Sequence, residues 1–106
     1  MKICIFGAAS AHIDDNYIKA VERLGKSLAL RGHSLVFGAG GTGLMGAAAR
    51  GFKAGGGHIH GVIPNFFREE CVEVIYDGCD KITYTKTMAE RKSVMEDLAD
   101  AFIITP

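Results

Sequence analysis

No charge of one sign predominates in this 106-residue chain, where twelve Lys and Arg are balanced by twelve Asp and Glu. Without a basic surplus nothing drives binding to nucleic acid, and there is no acidic tail, so a small ligand is the expected partner. Long apolar runs are lacking too. Met1-Lys2 leads into Ile3-Cys4-Ile5-Phe6, a run stopped by Gly7 and too short for a signal-peptide core or a membrane span. Cysteine is scarce and odd in number, with Cys4, Cys71 and Cys79 forming no C-x-x-C pair. That argues against a disulfide framework or a structural zinc site and makes a reducing, cytoplasmic compartment the expectation. There is no internal repeat, low-complexity tract or linker. One domain, residues 1–106, is the most this length holds, and it is small for a complete α/β enzyme.

What is present alternates between short apolar runs and helical periodicity. Ile3 to Phe6, Ser34 to Phe37, Ile59 to Ile63 and Ala101 to Thr105 read as buried strands, and weaker strand signals lie at Val72 to Ile75 and Lys81 to Thr83. A helix is expected over Asn16 to Arg31, where Ile18, Val21, Leu24 and Leu28 keep helical spacing, Asp14 or Asp15 caps the start and Gly32 closes the end. A second, rich in small residues, spans Leu44 to Ala54. Thr87 and Glu90 form a T-x-x-E capping box that starts a third at Met88 and carries it to about Ala99. Between Pro64 and the weak strands, Arg68, Glu69 and Glu70 read as a polar loop. The expected class is α/β, a Rossmann-like parallel sheet with helices on both faces.

Ligands in such sheets bind beyond the carboxyl ends of the strands, and there the chain places Gly38-Ala39-Gly40-Gly41-Thr42-Gly43-Leu44-Met45-Gly46. Glycines let the backbone approach a ligand closely while the N–H groups of the following helix face an anion. A tight strand-to-helix turn kept for packing explains the same run. G-x-G-x-x-G occurs twice, yet the run follows the second strand, and no acid lies between Glu22 and Glu69 to hold a ribose hydroxyl roughly twenty residues on. Nor is it a P-loop, since Ala47 and Ala48 follow Gly46 where Lys and Ser or Thr are required. A cradle for a single phosphate, as in a nucleoside monophosphate, remains.

The second informative stretch is Met88-Ala89-Glu90-Arg91-Lys92. At about 100° per residue, Arg91 falls within the arc marked by Met88, Met95 and Leu98, and Lys92 beside it. One reading is a surface arginine whose stem lies along the core. The other is a planar fork near the binding edge that grips a phosphate or ribose oxygen.

Together these motifs resemble the LONELY GUY (LOG) family, phosphoribohydrolases that release cytokinin bases from riboside 5′-monophosphates and are often labelled "possible lysine decarboxylase". The resemblance runs along the chain through Gly7, Tyr17, Leu24-Gly25, Arg31-Gly32, Gly43-Leu44-Met45-Gly46, Gly55-Gly56, Gly61-Val62-Ile63-Pro64, Met88-x-x-Arg91-Lys92 and Asp100-Ala101-Phe102-Ile103. It implies a homodimer without metal or other cofactor that hydrolyses the N-glycosidic bond of a cytokinin riboside monophosphate or AMP. By the same resemblance Arg91 is the catalytic arginine, Lys92 and Met88 contact substrate, and Gly40, Gly41, Thr42, Gly43 and Gly46 lie against the nucleotide. A substrate-binding glutamate maps to Glu69 or Glu70. Lysine decarboxylation itself is disfavoured, because no lysine is set up for a cofactor Schiff base.

Two departures stand out. Gly7-Ala8-Ala9 replaces the family's Gly-Ser-Ser, which loses a hydroxyl contact or passes it to Ser10, and the signature P-G-G-x-G-T-x-x-E would begin at Pro106. The sheet is accordingly expected to be incomplete at its C-terminal side, and the 106-residue chain alone inactive, with a non-catalytic nucleotide-binding or carrier module as the alternative. Among the remaining residues, His58 and His60 share one strand face but lack an evident third metal ligand, His12 reads as a solvated loop residue, and Cys4 as core.

Overall fold

The computed structural model describes residues 1–8, 10, 12–70 and 75–105, the side chains of 68–70 excepted. Its elements follow the order β1 (Lys2–Phe6), α1 (Asp15–Leu30), β2 (Ser34–Phe37), α2 (Gly43–Ala54), β3 (Ile59–Pro64), α3 (Asn65–Glu70), β4 (Lys81–Thr85), α4 (Met88–Leu98) and β5 (Ala101–Ile104). The strands form one sheet in the order β4-β3-β2-β1-β5, and every neighbouring pair is parallel. The Rossmann-like α/β class expected from the alternation is therefore what the chain adopts.

Strand order fixes where the helices go. The chain steps one way from β1 to β4, then returns across the sheet to lay β5 on the other side of β1. With right-handed crossovers, a reversal of direction moves the connecting helix to the opposite face. One face accordingly packs Ile3, Ile5, Leu35, Phe37, Ile59 and Ile63 beneath α1 and α2, and the other packs Cys4, Val36 and Val62 against Met95 of α4. The reversal lies between β1 and β5, and in sheets of this kind the crevice at the carboxyl ends of such a pair is the usual ligand site.

Local chemistry explains the helices. Asp14 caps α1 by accepting from the Asn16 N–H at 2.8 Å, and beyond the far end Gly32 takes φ 86° while the His33 N–H returns to the Leu28 carbonyl. Thr87 Oγ1 accepts from the Glu90 N–H at 3.0 Å, as the T-x-x-E pattern predicts, but the Glu90 carboxylate turns to the Lys86 N–H rather than to that of Thr87. In α2 the small residues Ala47, Ala48, Ala49 and Gly51 are buried, which lets α1 and α2 approach closely.

One expectation needs correction. The polar loop read after Pro64 is the short helix α3, because Phe67 is buried in the core and Phe66 packs edge-on against it at 5.1 Å between ring centroids. Apolar anchoring there outweighs the polar signal of Arg68, Glu69 and Glu70. Of the strand expected at Val72 to Ile75, residues 72–74 lie outside the described residues, while Ile75 forms an isolated antiparallel bridge with Gly40.

Burial governs two of the thiols. Desolvation pushes Cys4 up to about 11, aided by Glu96, and pushes Cys79 to about 11, aided by Asp80. An acid whose pKa rises on folding favours the folded state below its unfolded pKa, and that contribution is lost as pH climbs through the folded value. At pH 8 the thiolate is therefore almost absent from both. Iodoacetamide labelling read by peptide mass mapping is expected to modify Cys4 and Cys79 about 100-fold more slowly in the folded chain than in urea. Equal rates would show that neither thiol is shielded.

Candidate functional site

At the carboxyl end of the β1–β5 pair, the Thr105 N–H and Oγ1 both donate to the Phe6 carbonyl, at 2.9 and 2.8 Å. Above this join lies an open cavity of about 700 Å³ with mainly apolar walls, including Phe6, Ala8, Met45, Met88 and Met95. Its cationic side chains are Arg91 and Lys92, and Gly38 and Thr105 complete the end nearest the strands. No acid lines it among the described residues.

Arg91 is only 8% exposed. Its Nε donates to the Val62 carbonyl at 3.0 Å, Nη2 donates to the Gly38 carbonyl, and Cζ stands 5.1 Å from the centroid of the Phe67 ring. Nη1 points toward Met88 Sδ at 3.9 Å. The guanidinium thus ties α4 to β3 and to the residue after β2 and lies over a ring of α3, where a planar fork satisfies two carbonyls and its charge faces an aromatic ring. Its position on the apolar side of α4, read from spacing, is where the structure has it. The partners of its fork are backbone carbonyls, which spacing alone does not reveal.

The glycine run turns through two residues with positive φ, Ala39 at 65° and Gly43 at 62°. For Ala39 that conformation is uncommon, and the bond from the Tyr76 N–H to its carbonyl at 2.8 Å holds it in place. The start of α2 is partly committed to packing. The Leu44 and Met45 N–H groups donate to the Ala8 carbonyl at 2.8 and 3.3 Å, and the Gly46 N–H donates to the Thr42 carbonyl at 3.0 Å. The Gly40 N–H lies 2.9 Å from Met45 Sδ. Gly46 sits inside α2 where an added Cβ would come 2.3 Å from the Gly41 carbonyl oxygen, so its lack of a side chain closes the turn. Thr42 occupies the N-cap position in extended conformation without a side-chain capping bond.

Of the site residues read from the sequence, Met88, Arg91 and Lys92 meet at the cavity. Gly40, Gly41 and Thr42 lie on the adjoining turn, and Gly43 and Gly46 in the first turn of α2, rather than on its wall. Ser10 accepts from the His12 N–H at 3.1 Å and is exposed in the β1–α1 loop. Glu69 and Glu70 end α3, and their side chains lie outside what is described. Phe67 was not singled out, and Gly38, Met45 and Thr105 were read only as parts of the glycine run and of the last strand. Of these, Thr105 had a readable signal, being the end of a strand at an open sheet edge.

Over residues 1–106 the sequence matches the SLOG cluster4 family. The chain belongs to that family. It is 36% identical over 105 residues to a protein of Oryza sativa subsp. japonica named a probable cytokinin riboside 5′-monophosphate phosphoribohydrolase, covering 99% of this chain and 42% of that one. It is 37% identical to the cytokinin riboside 5′-monophosphate phosphoribohydrolase of Mycobacterium tuberculosis, covering 98% of this chain and 54% of that one. The resemblance to LOG proteins carried by the sequence motifs thus holds over nearly the whole chain, which spans about half the length of these relatives. Among solved structures, the molybdenum cofactor carrier protein of Chlamydomonas reinhardtii matches with a TM-score of 0.80 and 26% identity, over 97% of this chain and 60% of that one. The molybdenum cofactor binding protein of Rippkaea orientalis, at 21% identity and a TM-score of 0.74, shares the fold. Among the described residues no helix is long and apolar enough to cross a membrane.

Proposed function

We propose that this SLOG protein serves a phosphoribohydrolase reaction on a nucleoside 5′-monophosphate, AMP or a cytokinin riboside monophosphate. The C1′–N bond breaks, water supplies the hydroxyl to C1′ and a proton to the base, and free base and ribose 5-phosphate leave. The observation that carries this reading is the pairing of Arg91 and Lys92 with an apolar cavity at the topological switch point, in a chain matching named phosphoribohydrolases over nearly all its length. Apolar walls suit a base, and the two cations suit a phosphate.

In this reading Arg91 is the catalytic arginine and balances the negative charge of the phosphate and of the departing base, Lys92 and Met88 hold substrate, and the Gly41-Thr42-Gly43 tip supplies N–H groups to the phosphate. Breaking the bond builds oxocarbenium character on the ribose, which a carboxylate must stabilise or meet with an activated water. Glu69 or Glu70 of α3 orients a ribose hydroxyl. The working unit is a cytoplasmic homodimer without metal or other cofactor, taking neither nucleic acid nor membrane as partner.

A second reading, a nucleotide-binding or carrier module without hydrolysis, is favoured by the cavity's lack of a described acid and by the likeness to a carrier protein. Incubating the chain, extended from Pro106 with a G-G-x-G-T-x-x-E segment, with AMP while assaying free adenine, alongside calorimetric binding of AMP, separates the two. Adenine release that disappears in an Arg91→Ala chain still folded by circular dichroism supports the hydrolase, saturable binding without release supports the carrier, and the absence of both contradicts each reading.

A further inference from the structure

At the opposite end of the sheet, where the strands begin, a second hollow of about 290 Å³ opens beneath the last turn of α4. Its polar wall is Lys2 of β1, Ser34 of β2, His58 just before β3 and His60 within it, and Lys81 of β4, with Leu98 closing the α4 side. The parallel register gathers them, pairing Lys2 with Ser34 and His60 with Lys81, so that basic residues far apart in sequence share one face. The two histidines whose alternation the sequence displays thus stand among cations rather than among metal-ligating acids.

His60 is the floor of the hollow, 7% exposed, with Nε2 2.7 Å from Thr83 Oγ1. Lys2, His58 and Lys81 stand exposed at the rim. Burial lowers the His60 pKa, and the charged neighbours that lower it further, Lys81, His58 and Lys2, are all basic. The carboxylates of the adjoining turns are turned onto the backbone, Asp80 accepting from the Ile59 N–H and Asp100 from the Lys2 N–H, each at 2.8 Å. The α4 acids Glu96 and Asp97 do not line the hollow.

A concave site lined by one sign of charge focuses potential and concentrates counter-ions. Lys2, Lys81, His58, His60 and Ser34 around one hollow supply ammonium, imidazole and hydroxyl donors, of which a tetrahedral oxyanion takes several directionally at once and a halide does not. We propose that this hollow is a second anion site, separate from the carboxyl-end cavity, which binds a phosphate group through Lys2, Lys81, His58 and His60. Neither the phosphoribohydrolase reading nor the carrier reading enters this inference.

The test follows the His58 and His60 ring signals of the 106-residue chain by NMR, at constant ionic strength, during titration with inorganic phosphate, with ribose 5-phosphate as a monoester and with chloride as reference. Saturable shifts with either phosphate, absent with chloride, are expected, and the tighter arm tells free phosphate from a phosphate monoester. Bound phosphate also raises the His60 pKa, because an adjacent anion favours imidazolium. Lys81→Gln and Lys2→Gln, both at exposed positions that leave the core intact, are each expected to weaken binding about tenfold, whereas Lys53→Gln on α2 leaves it unchanged. Linear shifts equal to those with chloride, or undiminished binding in both Lys81→Gln and Lys2→Gln, would overturn the proposal.

Discussion

Arg91→Ala is expected to lower the unfolding free energy by about 3 kcal/mol, read from urea denaturation, and to remove nucleotide binding with it. The guanidinium is buried, and it donates to the Val62 carbonyl within β3 and to the Gly38 carbonyl just after β2. Truncation deprives both carbonyls of a charged donor in a place water reaches poorly, and leaves the Phe67 face without its cation. A desolvation penalty of roughly 1–3 kcal/mol for each unsatisfied group is the dominant cost. Because Gly38 begins the glycine run, the same change frees the turn that adjoins the cavity. Arg91→Lys keeps the charge but has no fork, so it is expected to recover part of the stability while holding only one carbonyl. An unchanged denaturation midpoint in Arg91→Ala would mean that the clamp between α4, β2 and β3 does not exist in solution.

Gly51→Ala is expected to destabilise by about 2–3 kcal/mol, a drop of roughly 10–20 °C in Tm. The sign is diagnostic, since alanine in a helix interior is ordinarily favoured over glycine by about 1 kcal/mol. Here an added Cβ would stand 2.3 Å from the Glu22 carbonyl oxygen and 3.0 Å from the Gly25 Cα and the Lys26 nitrogen. All three are backbone atoms of α1, so no side-chain rotation relieves the clash, and the two helices must separate. Separation would also stretch the Arg50–Glu22 ion pair, 3.0 Å apart on the exposed edge of the same contact, although an exposed pair contributes little. Thermal unfolding followed by circular dichroism measures the effect, and a Tm equal to or above that of the parent would refute the close crossing of α1 and α2.

How much of this was legible in the sequence depends on how local each cause is. The Asp14 and Thr87 caps, the Gly32 exit and the four apolar runs are local, and the elements they imply begin and end within a residue or so of the observed ones. Helix α3 was missed because its cause is Phe67 reaching a core assembled from β2, α2 and β3, which polar neighbours concealed. At the candidate site, Met88, Arg91 and Lys92 could be placed together because one helical turn brings them together. The glycine run put Gly38 and Met45 at the same carboxyl edge, but Thr105 could not be joined to them, since it comes to the cavity only once β5 returns to β1. The glycine run illustrates both sides. Its position after a strand was plain, but the Ala8 carbonyl that takes the Leu44 and Met45 N–H groups comes from another loop, so a turn that looks like a pure phosphate cradle also serves as packing.

The most direct test of a nucleotide site at the carboxyl ends of the strands is an AMP titration of the ¹⁵N-labelled chain followed by two-dimensional NMR. Saturable perturbations are predicted at Gly38 to Met45, at Met88 to Lys92 and at Thr105, with Arg91→Lys weakening them. Perturbations confined to Lys2, His58 and Lys81 at the other end of the sheet, or no saturable change at all, would contradict the account.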